Sequence, residues 1–254
     1  MIKRLHLGKA AEGGVTAALL AQRGFAGPET VLEGKFGFCR AFSDSPKLSY
    51  LTHRLGRDFE TLNICIKRFA CHINAHAPIE ALQKLREQHR FAPEDIKEIV
   101  VAGIEKLVTH HGIYRPRDLM MAQYSIPFCV ALSLYYDPRD PESFNEKRVR
   151  DRKILALARL VRLQVDPEIE KKGWDRAARV TVPLKDGRCP TQLIIHFKGA
   201  PQNPLSASEL EDKVRRLTQG LLSARKLGRL IEGVHRFEKL DDLSSMTSLL
   251  QGAA

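Results

Sequence analysis

The spacing of apolar residues along the chain changes character near Asn63. Before it, Ala10, Ala11, Val15, Ala18, Leu19 and Ala21 recur at helical intervals and predict a helix over 8–23, stopped by Gly24. So many small residues suit close packing against other helices, although Gly13-Gly14 weakens the segment in isolation. Phe25-Ala26-Gly27-Pro28 reads as a turn, 28–33 as a short helix and 47–60 as weakly helical. From Asn63 onward, short apolar runs alternate with amphipathic ones. They predict a strand over 63–69, a helix over 72–89 and a strand over 96–104. A helix from Asp118 to Tyr136 follows, with Asp118 as its N-cap and Pro127 kinking or splitting it.

Over 147–161 the pattern is again helical, with Lys147, Arg148, Arg150, Arg152, Lys153 and Arg159 interleaved with Ile154, Leu155, Leu157 and Leu160. Two alternating runs, Arg176 to Leu184 and Arg188 to Phe197, flank Asp186-Gly187 and predict a hairpin. Pro183 inside the first run argues for an edge or a bulge. Beyond a Pro201–Pro204 linker, Ser206 or Ser208 caps a helix that has Glu209 and Glu211 near its start, and helices over 208–224 and 226–238 close the chain. The reading is α+β: helices over 1–62, a mixed α+β block over 63–203, and helices again over 204–254.

Composition narrows the function classes. The 254 residues are 43% hydrophobic and 28% charged, which is ordinary for a globular chain. No apolar run reaches the roughly 18–20 residues that span a bilayer, and MIKRLHLGK lacks a signal-peptide core, so no membrane association and a cytoplasmic location are expected. Cys39, Cys65, Cys71, Cys129 and Cys189 are odd in number and dispersed, without zinc-site spacing. They read as reduced structural thiols, with no metal, although Cys71 lies close to His72 and His76. The net charge of +11 invites a nucleic-acid reading. The densest basic stretch, Lys147 to Arg162, carries no aromatic stacking series and no binding motif, which argues against it. The glycines at 34 and 37 do not follow a phosphate-loop order.

Candidate chemistry concentrates at Ile66 to Ala77, IKRFACHINAHA. Lys67 and Arg68 precede two imidazoles, His72 and His76, which share a helix face at i, i+4 spacing. Cations at the start of a helix suit a carboxylate-rich substrate. Lys3, Arg4 and His6 form a second cluster, and His110-His111 a third.

The segments KRFACHINAHAPIEAL, IKRLHLGKAAEGGVTAALLAQRGFAGPETVLEGKFGF and QYSIPFCVALSLYY, in their order along the chain, resemble signature blocks of the MmgE/PrpD family. That family includes 2-methylcitrate dehydratase, cis-aconitate decarboxylase and iminodisuccinate epimerase. The resemblance implies a partial all-helical domain built from both chain ends, a central α+β domain, and an active site between them. It implies a lyase or epimerase that removes a proton from a small di- or tricarboxylate, without a metal or organic cofactor. Lys3, His6, Lys67 and His72 become the catalytic candidates. Arg68 and His76 are the flanking candidates for substrate binding, His76 in a largely packing role. Tyr124 and Tyr114 are alternative counterparts of a family tyrosine. Family members carry a long helical region ahead of the first block, and this chain starts inside it. The resemblance therefore also implies either a homodimer or a complementary helical chain, with a truncated, inactive remnant or half of a split enzyme as the alternative.

Overall fold

The computed structural model describes residues 2–251, with side chains from Leu5 onward. The chain divides into two compact units, Met1–Phe59 and Glu60–Ala254. The first unit is built on α1 (Ile2–Gln22), which ends where glycine was expected to stop it, with Gly24 at φ 87°. A short α2 (Phe38–Phe42) and a single 3-10 turn, Leu48–Leu51, follow; residues 28–33 form turns rather than the expected helix. No strand occurs in this unit among the described residues. Leu5, Leu7, Val15 and Leu19 of α1 are each more than half exposed.

The second unit carries the sheet. After α3 (His76–His89), the strand β1 (Ile99–Gly103) is buried at every position, as its continuous apolar run IVVAG requires of a central strand. Next come α4 (Glu105–His111), α5 (Leu119–Tyr124) and α6 (Ile126–Leu132). The predicted helix over 118–136 is thus split. Asp118 caps its first half through Met121 N–H at 2.7 Å, and Ser125 caps the second, with Pro127 in the first turn, where its missing N–H costs nothing. The stretch read as one basic helix becomes three elements: α7 (Glu146–Val149), α8 (Arg152–Ala158) and a strand, β2 (Val161–Val165). Ile154, Leu157 and Ala158 are buried while Lys147, Arg150, Arg152, Lys153 and Arg159 stay in solvent, so the basic face is there as expected.

A short α9 (Pro167–Lys171) leads to the hairpin β3 (Ala178–Thr181) and β4 (Thr191–Ile194), and Gly187 turns it at φ 93°. Pro183 lies just past β3, and its carbonyl accepts the Lys97 N–H at 2.9 Å. The sheet order is β2-β1-β3-β4, with β2 parallel to β1 and the other pairs antiparallel. The fold of this unit is α+β. Helix α3 packs across β3 and β4 through Ile79, Leu82 and Leu85, and α6 packs on α8. The chain ends with α10 (Ala207–Leu217), α11 (Ala224–His235) and α12 (Ser244–Leu250). Of the two cap candidates Ser206 takes the position, in a capping box with Glu209: Glu209 N–H to Ser206 Oγ at 3.2 Å and Ser206 N–H to Glu209 Oε2 at 2.8 Å.

The strand expected over 63–69 does not form. Glu60–Asn63 is a 3-10 turn, and the chain beyond it is irregular. Its backbone donors go to three separate segments instead of one neighbouring strand: Ile66 N–H to Gly199 O at 2.8 Å, Ala70 N–H to Pro138 O at 3.0 Å, and His72 N–H to Gln123 O in the last turn of α5 at 2.8 Å. Ile64 remains 60% exposed, so the LNICI run is not a buried strand and Lys67 does not end one. No described helix is long and apolar enough to cross a membrane.

Candidate active site

The irregular segment from Ile66 to His72 is pinned from several directions, and this fixes its side chains. Besides the three backbone bonds, Gln123 Nε2 donates to Ala70 O at 2.8 Å and Lys213 Nζ donates to Lys67 O at 2.8 Å. His72 then takes the N-cap of a 3-10 turn, Ile73–Ala75, with its Nδ1 accepting the Asn74 N–H at 3.3 Å. A neutral His72 with an accepting Nδ1 carries its proton on Nε2.

Two aromatic groups close on this imidazole. His111 stands with its ring centroid 4.3 Å away and Tyr124 at 4.7 Å. His111 is buried, and its tautomer follows from its partners. Nδ1 faces the Tyr124 carbonyl at 3.1 Å and must donate; Nε2 lies 3.1 Å from the Asn74 side-chain amide and accepts. Burial disfavours the imidazolium and lowers the His111 pKa below 6.5, with His110 and Lys106 adding to the effect and the Tyr124 carbonyl opposing it. A neutral, oriented imidazole thus walls His72 and sets no like charge against it.

The sign of the resulting pH dependence follows from linkage. Between 6.5 and the lowered folded value, the unfolded chain binds a proton that the folded state refuses. Stability should therefore be full above pH 6.5 and fall as pH drops below it. Denaturant midpoints measured from about pH 7 to 5 should show this slope in the wild type and a flatter one in His111→Gln.

The other sequence candidates are placed as follows. His76 sits in the core, fully buried between Phe69 and Phe197 at 5.1 and 5.2 Å, and neither ring nitrogen makes a hydrogen bond of good geometry. It is buried beside Cys71, as the packing role expected of it requires. Burial pushes the Cys71 thiol up, but close contacts with Cys129 and His76 and the charges of His76 and Lys67 outweigh it and bring it from 9.0 to about 6. Lys67 is exposed. Arg68 is half-buried and lines a cavity with Arg139, Lys213 and Arg216. His6 is exposed on α1 in the first unit, and the Lys3 side chain lies outside the described residues. His110 faces solvent, bonded to Thr109 Oγ1 at 2.7 Å, and Tyr114 is exposed.

Asn74 and Lys213 had no part in the sequence reading, and His111 was not separated there from His110. One signal distinguishes the two histidines: Leu107 and His111 lie at i, i+4 on α4 and both are buried, whereas His110 falls off that face. Among the described residues, no group of three His, Cys, Asp or Glu side chains is arranged to hold a metal ion.

Residues 69–238 match the MmgE/PrpD C-terminal domain and residues 1–51 the MmgE/PrpD N-terminal domain. The chain is similar to a cis-aconitate decarboxylase-like protein, oryM, of Aspergillus oryzae, at 27% identity over 267 residues covering 99% of this chain and 55% of that protein. It is also similar to the cis-aconitate decarboxylase of Homo sapiens, at 28% identity with 98% and 53% covered, and to that of Aspergillus terreus, at 25% with 98% and 54% covered. The chain spans about half the length of the curated relatives it matches.

Proposed function

Because this chain belongs to the MmgE/PrpD family, we propose that it supplies part of the active site of a lyase acting on a small di- or tricarboxylate. Decarboxylation of a cis-aconitate-like substrate is favoured over dehydration, since the relatives named above are cis-aconitate decarboxylases or like them. Epimerisation is the third and least supported reaction.

The observation that carries this reading is His72, held by Asn74 and flanked by His111 and Tyr124 within a segment that presents Lys67 and Arg68. Loss of carbon dioxide leaves a carbanion that has to be protonated, and loss of water requires one proton removed and one delivered. Either task needs a group that can give and take a proton near neutrality, which an imidazole does. Cations nearby stabilise the charge that develops on the carboxylates. His72 is assigned as the proton-handling residue and Lys67 as a carboxylate-holding one. Lys3 and His6 are kept as further catalytic candidates on the family resemblance alone.

The exposed apolar residues of α1 and the two-part pattern of helices support assembly as a homodimer or with a complementary helical chain, in the cytoplasm. The test is turnover. The purified protein, alone and together with the remaining half of a relative's length, is incubated with cis-aconitate, 2-methylcitrate and iminodisuccinate. Carbon dioxide release from cis-aconitate is the expected result. A folded assembly that turns over none of the three would mean that the chain is an inactive member of its family.

A further inference from the structure

Four basic side chains from three separate stretches, Arg68, Arg139, Lys213 and Arg216, line one cavity of about 80 Å³, whose wall is completed by Leu205, Glu209 and Asp212. A single water takes roughly 10–15 Å³ on this measure, so a group of several heavy atoms fits. The carboxylates around it pair with groups other than Arg68 and Lys213. Asp212 pairs with Arg216 at 2.8 Å, and Asp137 pairs with Arg139 at 2.8 Å and with Arg216 at 3.4 Å. Glu209 pairs with Lys198 at 3.1 Å and caps α10. Arg68 and Lys213 have no carboxylate partner among the described residues. The ammonium of Lys213 instead donates to the carbonyl of Lys67. Burial, with the charge of Lys67 added, holds the Lys213 pKa below its usual value.

Two half-buried cations that converge without a counter-charge lose hydration and repel one another, and a bound anion relieves both costs. We infer that this cavity is an oxyanion site in which Arg68 and Lys213 together hold one carboxylate or phosphate group. The paired arginines, Arg139 and Arg216, hold the walls in place and add to the positive field. The inference claims binding alone and does not rest on the lyase reading.

Calorimetric titration of the purified protein at low ionic strength tests it, with inorganic phosphate in one arm and citrate in the other. At least one of the two should bind with a stoichiometry of one. Phosphate alone would identify a phosphorylated ligand, citrate alone a polycarboxylate, and both a site for either oxyanion. Lys213→Met and Arg68→Gln should each weaken binding about tenfold or more, and Lys213→Arg, which keeps the charge and a donor, should stay within about threefold of the wild type. If Lys213→Met fails to fold, Arg68→Gln still decides, since among the described residues the contact its loss removes is that of the guanidinium with the Phe69 ring, 5.7 Å to the centroid. Arg162→Gln, which removes an exposed cation outside the cavity, should bind the anion as the wild type does. The inference is overturned if neither anion binds, if the Arg68 and Lys213 variants both bind normally, or if Arg162→Gln loses as much affinity as they do.

Discussion

In the complete enzyme, His72→Asn should lower turnover about 10²- to 10⁴-fold while moving the melting temperature by only a few degrees. The asymmetry comes from what each side chain can do at this position. The His72 ring accepts the Asn74 N–H through Nδ1, and the amide oxygen of an introduced asparagine can accept the same proton, so the cap on the 3-10 turn survives. The segment is anchored by main-chain bonds, His72 N–H to Gln123 O and Ala70 N–H to Pro138 O, that the substitution does not touch. What disappears is a group that exchanges a proton near neutral pH, along with the ring faces packed on His111 and Tyr124. A purely structural His72 would give the opposite pattern: a large loss of melting temperature with turnover nearly kept. Parallel measurements of melting and of kcat separate the two, and near wild-type kcat would remove His72 from the chemistry while leaving family membership untouched.

Local signals carried much of this fold. Asp118, Asp186-Gly187 and one of the pair Ser206 and Ser208 each act within four residues of themselves, through a cap or a turn, and the cap or turn expected at each place is found there, Ser206 being the serine used. The run IVVAG is long enough and apolar enough to be a central strand in any register. What escaped the sequence depends on partners far along the chain. The five residues of β2, VRLQV, follow α8 after only Arg159 and Leu160, with no glycine or proline to mark the change, and only pairing with Ile99–Gly103 makes them a strand. LNICI has the composition of a strand but pairs with none: its Ile66 N–H goes to Gly199 O and its Ile64 N–H turns back to Thr61 O. The site shows the same division. The i, i+4 histidines of the motif IKRFACHINAHA do not share a helix face: His76 begins α3 and turns into the core, whereas His72 stays outside that helix. The partner of His72 is His111, 39 residues on by the sequence numbering, brought in by α4 beside β2.

Gly199→Ala should have the largest effect of any single methyl group added to this chain. Gly199 holds φ +104°, where a side chain is strained at a cost of roughly 1–2 kcal/mol. The added Cβ would also fall 2.1 Å from the Ile66 carbonyl oxygen, a main-chain atom that no rotamer change can move aside. The same residue pair shares the bond Ile66 N–H to Gly199 O, so the chain at Ile66 must withdraw and give up a contact worth about 0.5–1.5 kcal/mol. Together these terms come to about 3 kcal/mol, or roughly 6–12 °C in Tm for a protein of this size. The displacement is passed directly to Lys67 and Arg68, the next two residues. A shift of about 1 Å in a substrate-holding group can cost about 10²-fold in rate, so turnover should fall with stability. Gly173→Ala is the matched control, because its φ is +62° and no atom lies within 4 Å of the added carbon. It pays the backbone strain alone, should melt only about 2–4 °C lower for each kcal/mol of that strain, and should leave kcat unchanged. If the two alanine variants melt and turn over alike, the Ile66–Gly199 contact does not hold the site in place.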